Sequence, residues 1–223
     1  MIKPILRGRD IERYTYKWAD LWLIVIPFGW TNKNVTVKDS EEAEEFLKTN
    51  YSAIYNHLIL FKDKAKARFN KGNYWWELQA STYYSEYEKE KIGWATVSSK
   101  YKFSIVPKGF YSISSIYFIT NINLNYACPV LNSQAVRKYL SFLLSSEDRY
   151  SPVTTQAIRQ IPIPLIKQEN ESIVHQLEHL TTQIIDAKNQ NLDVTLFMQE
   201  VDTLVYKLYD LNDEEIKVIE HKI

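Results

Sequence analysis

Ile161-Pro-Ile-Pro164 separates two textures in this chain, and the contrast between them decides the fold. Alternating prolines exclude both a helix and a central strand, so the stretch predicts an extended connector. Beyond it every segment has helical spacing. Ile173, Leu177, Leu180 and Ile184 form one apolar stripe, and Val194, Phe197, Val201, Leu204, Val205 and Leu208 form a stronger one, predicting two helices packed as a hairpin. Asn212 with Glu215 three residues later has the form of a capping box and predicts a third short helix.

Before the connector the pattern is β-rich. Residues 92–97, 102–106 and 111–119 read as short strands separated by Ser98-Ser99 and Pro107-Lys-Gly109, an antiparallel meander in outline. Asp20-Leu-Trp-Leu-Ile-Val-Ile-Pro27 reads as a buried strand. A helix is expected from Ser40, although Ala43 stands where the box glutamate would be. Ile54, Leu58, Phe61 and Ala65 extend helical spacing further, and residues 131–144 return to it. The fold class expected is α+β: a mixed or antiparallel β-rich domain with helices over 1–165, then a helical hairpin or bundle over 166–223 that braces or docks.

With 45% hydrophobic residues among 223, the chain can bury a core. The longest apolar runs fall well short of the roughly 20 residues that span a bilayer, and no signal-peptide order is seen, so a cytoplasmic location without membrane contact is expected. Cys128 is the one cysteine, too few for a disulfide or a multi-thiolate zinc site, and it reads as an ordinary buried thiol. The zero net charge conceals a split. Residues 1–165 hold 22 of the 27 Lys+Arg and 15 of the 27 Asp+Glu, leaving 5 and 12 for residues 166–223. A basic body with an acidic appendage suits a polyanion binder with a separate docking segment, so residues 1–165 alone are expected to bind duplex DNA and 166–223 alone are not.

Catalytic motifs are absent. The glycines are too far apart for a dinucleotide-binding or P-loop, no two prolines adjoin as an Asn-Pro-Pro-Tyr motif requires, and there is no nucleophile elbow. His175-Gln-Leu-Glu-His179 matches an inverted zinc-peptidase order, which would make His175, Glu178 and His179 metal residues of a hydrolase. Both histidines fall roughly 200° from the apolar stripe, on a presumed solvent face, and so short a pattern arises readily by chance. No metal and no catalytic residue is therefore assigned.

Two clusters suit nucleic acid. Arg7-Gly-Arg9, Arg13 and Lys17, interleaved with Tyr14, Tyr16 and Trp18, could pair with phosphates and guanine edges; the alternative is a surface loop with aromatic packing. Trp75, Lys91, Trp94, Lys100 and Lys102 lie in an aromatic and lysine-rich stretch whose rings could stack on bases, although core packing is expected to claim about two thirds of them.

The order of motifs adds a resemblance. Ile2-Lys-Pro-Ile-Leu-Arg-Gly-Arg-Asp-Ile11 with Tyr14, then Trp75-Trp-Glu-Leu78, Lys91-Ile92, Leu131-Asn-Ser133, Ile161-Pro-Ile-Pro164 and Val201-Asp-Thr-Leu-Val-Tyr-Lys-Leu-Tyr-Asp-Leu-Asn-Asp-Glu-Glu-Ile216, resembles the C-terminal specificity domain of TaqI-like adenine methyltransferases and single-chain (type IIG) restriction-modification enzymes. The resemblance implies a target-recognition domain that reads duplex DNA for a separate methyltransferase domain, with or without a nuclease. S-adenosylmethionine would belong to that other domain, and this chain would be an excised or stand-alone specificity part without catalysis of its own. A protein-interaction adaptor without DNA binding is the rival reading.

Overall fold

In the computed structural model, which describes residues 1–36, 39–98, 101–144 and 151–220, the chain forms two compact units. The first comprises Met1–Pro4 and Leu21–Glu88, and the second Ile5–Asp20 and Lys89–Ile223.

In the first unit, the start of β1 (Ile2–Leu6) pairs antiparallel with β2 (Trp22–Ile24), Ile2 opposite Ile24. The strand expected over 20–27 is thus shorter, and its most buried residues, Val25 and Ile26, follow it. Helices α1 (Trp30–Asn34), α2 (Ser40–Asn50), α3 (Ser52–Leu58), α4 (Lys62–Lys66) and α5 (Tyr84–Tyr87) complete the unit. Asp39, not Ser40, caps α2: its carboxylate accepts from Glu41 N and Glu42 N, both at 2.9 Å. A stronger acceptor one residue earlier displaces the hydroxyl. Ile26, Ala43, Leu47, Trp75 and Trp76 make the core, with the two indoles edge to face at 5.4 Å.

In the second unit, the end of β1 pairs in parallel with β6 (Tyr111–Ser112), Ile5 opposite Tyr111. β3 (Lys91–Ala95), β4 (Val97–Ser98), β5 (Ser104–Val106) and β7 (Ile116–Ile119) supply the other strands of its middle region. β3 lies between β5 and β7, antiparallel to both. The order is therefore not a sequential meander: the two-residue β6 leaves to pair with β1, and the chain returns to the far side of β3 as β7. β4 pairs with β8 (Ser151–Pro152).

The helix expected over 131–144 is two helices, α6 (Leu124–Asn132) and α7 (Gln134–Leu143), because Ser133 ends one and caps the next through its hydroxyl. α8 (Thr155–Ile158) precedes the extended connector, and α9 (Glu171–Asn189), α10 (Thr195–Leu208) and α11 (Asp213–Glu220) follow it. Asn212 accepts from Glu214 N and Glu215 N at 3.0 and 3.1 Å while Glu215 accepts from Asn212 N at 2.9 Å, the reciprocal box read from the sequence.

Pro129 explains how α9 docks. A proline inside α6 has no N–H for the Asn125 carbonyl, and the Thr181 hydroxyl lies 2.8 Å from that oxygen, sharing its proton between it and Leu177 O at 2.8 Å. Helices and sheet then share one core: Ile92, Trp94 and Phe103 pack with Leu131, Leu140, Leu177, Ile184, Val201 and Val205. Charge divides the chain near residue 165; packing does not, and residues 171–208 complete the core of the second unit. Phe197, assigned to the buried stripe, is only half-buried, while Leu177, Ile184 and Val205 are fully buried.

Tyr14 is the buried one among the described non-glycine residues with positive φ. It adopts φ 70°, its N donates to Phe103 O at 2.8 Å and its carbonyl accepts from Ile105 N at 3.2 Å, so backbone pairing on both sides holds the left-handed conformation. Burial pushes its phenol well above the ordinary range, and the hydroxyl has no hydrogen-bond partner among the described residues. Tyr14→Phe should therefore stabilise the chain, by about 1 kcal/mol if the removed hydroxyl was unsatisfied. A urea melt checks the sign; a loss of stability would mean that the hydroxyl is bonded in solution.

Candidate nucleic-acid interface

A cleft of about 510 Å³ opens on the second unit. Its apolar floor includes Ile11, Trp94, Phe103 and Val153, and Arg7, Arg9 and Lys102 bring cationic side chains to it. Three of the arginines and lysines singled out in the sequence therefore converge, although 93 residues separate Arg9 from Lys102.

Local structure explains how. Arg7 and Asp10 close the short turn after β1: Arg7 Nε and Nη2 donate to the Asp10 carboxylate at 3.0 and 2.8 Å, and Arg7 N donates to it at 2.8 Å. Hydrogen bonding from Arg7 holds the Asp10 carboxyl below its usual range. The depressed value means that this pairing contributes above the ordinary carboxyl range and is lost only in strong acid. Gly8 is required because the turn lies against the strand-to-strand loop before β7. Its N donates to Ser115 Oγ at 3.0 Å, and a Cβ there would sit 2.8 Å from Ser115 O. The close approach that Gly8 permits is to the protein's own backbone. Arg9 is exposed.

On the opposite side, Asn132 at the end of α6 holds the extended backbone at Phe103, next to Lys102 and just before β5. Its Nδ2 donates to Phe103 O at 2.8 Å and Cys128 O at 3.0 Å, and its Oδ1 accepts from Phe103 N at 3.2 Å. Lys102 Nζ in turn reaches Glu12 Oε2 at 2.7 Å. Sequence reading noted Asn132 only within Leu131-Asn-Ser133; its organising role has no local signature, since two of its three backbone partner atoms come from residue 103. Cys128 is buried beside it, with burial pushing its thiol up to about 12, the inert state expected of it.

Other assigned residues lie elsewhere. Trp94 is buried, its Nε1 donating to Val153 O at 3.0 Å, so it forms floor and presents no free ring. Lys91 is buried with its ammonium on Lys89 O and Pro107 O at 2.7 and 3.3 Å. Trp75 belongs to the core of the first unit, its Nε1 donating to Glu44 Oε2 at 3.2 Å. In all three, a polar handle with an internal partner lets the apolar body stay inside, away from an open surface. Arg13 is half-buried and donates to Asn132 O, the open carbonyl end of α6; burial lowers its pKa. Lys17 is exposed. Its neighbours Tyr16 and Trp18 pack on Phe110 at 5.1 and 5.8 Å. Lys100 lies outside the described residues.

The histidine motif stays on the outer face of α9. His175 and His179 are exposed, and His175 Nδ1 lies 3.0 Å from Glu178 Oε2, whose other oxygen accepts from Asn123 Nδ2 at 2.6 Å. Among the described residues no group of three or more His, Cys, Asp or Glu is placed to hold a metal ion. No helix among them is long and apolar enough to cross a membrane.

No curated protein sequence matches this chain. Residues 3–163, from the first strand to the proline connector, match the TaqI-like C-terminal specificity domain. That span contains the Arg7–Asp10 turn, the floor of the cleft and Asn132. The chain belongs to the TaqI-like C-terminal specificity domain family, whose members are DNA-recognition modules of restriction-modification enzymes.

Proposed function

We propose that this chain reads a short duplex sequence for an adenine methyltransferase carried by a separate domain, as in a type IIG enzyme, and takes no part in the chemistry itself. The observation that carries this reading is the cationic cleft, in which Arg7, Arg9 and Lys102 converge over an apolar floor. Phosphate contacts set register on a duplex, and a few side chains reaching base edges specify sequence. Arg9, exposed beside a rigid turn, is the base-reading residue, with Lys102 and Lys17 on phosphates. Arg7 contributes through its pairing with Asp10, which presents the turn. S-adenosylmethionine and the flipped adenine belong to the partner domain, since this chain has neither a glycine-rich loop nor Asn-Pro-Pro-Tyr. The acidic outer surfaces of α9 and α11 suit docking to that domain better than approach to DNA. The setting is the cytoplasm, where cellular DNA is accessible to such an enzyme.

Selection from a randomised duplex pool tests the reading. The whole chain should enrich a defined short site. Arg9→Ala should blur one position of it and cost on the order of 1–3 kcal/mol, the worth of a bidentate base contact. A chain cut at 165 would lack the helices that complete its core, so the full chain is the proper reagent. Absence of any salt-dependent binding to duplex would overturn the proposal in favour of a protein-interaction role.

A further inference from the structure

The C-terminal end of α9 does not follow the acidic character of its segment. Two contacts fix how α9 lies on α6: Asn123 Nδ2 donates to Glu178 Oε1 at 2.6 Å, and Thr181 Oγ1 donates to Asn125 O at 2.8 Å. The contacts advance in the same order on both chains, so the helices run in the same direction. Seven residues further along each, roughly 10 Å at helical rise, Lys188 comes level with Asn132. That is where Arg13 is anchored and where Asn132 holds the backbone next to Lys102.

Lys188 is half-buried, and its ammonium makes no hydrogen bond or ion pair among the described residues. The carboxylate in its surroundings, Glu12, is engaged by Lys102 at 2.7 Å. Burial, with Arg13, Lys17 and Lys102 nearby, lowers the pKa of its ammonium against the pull of Glu12. Helix C-termini attract cations, but Arg13 already occupies the open carbonyl end of α6. With Glu12 engaged by Lys102 and the buried Asp202 beside Arg13, the cations still outnumber the carboxylates, and a further anion would relieve their repulsion.

From this geometry we infer that Lys188, with Arg13, Lys17 and Lys102, forms a second anion site that takes a backbone phosphate of the bound duplex. The site shares Lys102 with the cleft, and Lys188 lies outside the family match over residues 3–163. The segment after the connector is then part of the DNA-holding surface at one end, whereas its outer acidic faces are not. This inference rests on the reading of the chain as a duplex binder.

The test is binding of the full chain to a mixed-sequence duplex by fluorescence anisotropy across a sodium chloride series, repeated with sodium phosphate at matched ionic strength. Lys188→Gln should lower the slope of log K against log salt by about 0.9 and weaken binding roughly 3-fold at low salt, the signature of one lost phosphate contact. Lys188→Arg should keep the parent slope. Lys217→Gln, which removes an exposed lysine paired with Glu214 on α11, should leave it unchanged. Sodium phosphate should displace duplex no better than chloride, since the site takes its phosphate as part of the polyanion; selective displacement would mark it as a free-phosphate site and overturn the duplex assignment. If the parent binds duplex and Lys188→Gln keeps its slope, or Lys217→Gln loses as much, the site is wrong while the duplex reading stands. If the parent shows no salt-dependent binding, the reading itself fails and the site falls with it.

Discussion

Glu77→Ala should destabilise the first unit by about 3–5 kcal/mol, the largest effect expected of any single substitution in that unit. The Glu77 side chain is completely buried, and its carboxylate accepts three backbone N–H groups, from Gly29 at 3.1 Å, Thr31 at 2.9 Å and Asn73 at 3.0 Å. It thus caps α1 from 46 residues away, where Gly29 has no side chain to do so. Alanine leaves three donors without an acceptor, each at a cost of roughly 1–3 kcal/mol when buried. Gly72 makes room for the carboxylate: a Cβ there would lie 2.6 Å from Glu77 Oε2. Urea unfolding followed by the fluorescence of Trp75 and Trp76, both in the same core, reads the effect. Glu77→Gln retains one acceptor oxygen and should lie between parent and alanine. Unchanged midpoints for Glu77→Ala would show that water replaces the carboxylate without cost.

Asn132→Ala should cost about 2–4 kcal/mol and weaken duplex binding as well. The amide satisfies both backbone atoms of Phe103 and the carbonyl of Cys128, all inside the core of the second unit. Without it, Phe103 loses its position in the cleft floor, and Lys102 and Arg13 lose the framework on which they meet. Asn132→Asp should be at least as damaging, because a carboxylate would face two carbonyl oxygens that now accept from the amide. A denaturant melt together with anisotropy separates the effects: a variant that is destabilised but, while folded, binds like the parent would detach Asn132 from the interface.

The two expectations differ in how far the sequence could anticipate them. The capping box at Asn212, the end of helical structure at the prolines and the apolar stripes of α9 and α10 were legible because each depends on residues within a few positions of one another. The Arg7–Asp10 turn lies in a stretch that the sequence marked for its arginines, and there Arg9 stays exposed. Glu77 and Asn132 were not legible as organisers. Their partners are brought to them only by folding, and neither residue type announces that it will be buried.

The aromatic stretch shows the same limit from the other side. Trp75 and Trp94 beside lysines fit a stacking surface and a core equally well as sequence. Burial decided between them, because each indole N–H found an internal acceptor. The division near residue 165 follows the same logic: net charge is a sum over residues and can be counted along the chain, whereas membership of a core depends on which faces meet. By itself the sequence determined the α+β class and the segment types on either side of the proline connector, because hydrophobic period, proline geometry and local capping act over a few residues. Tertiary structure alone decided the strand order around β3, the place of α9 against α6 through the carbonyl freed by Pro129, and the meeting of Arg9 with Lys102, because those follow from pairings between atoms that are distant in the chain.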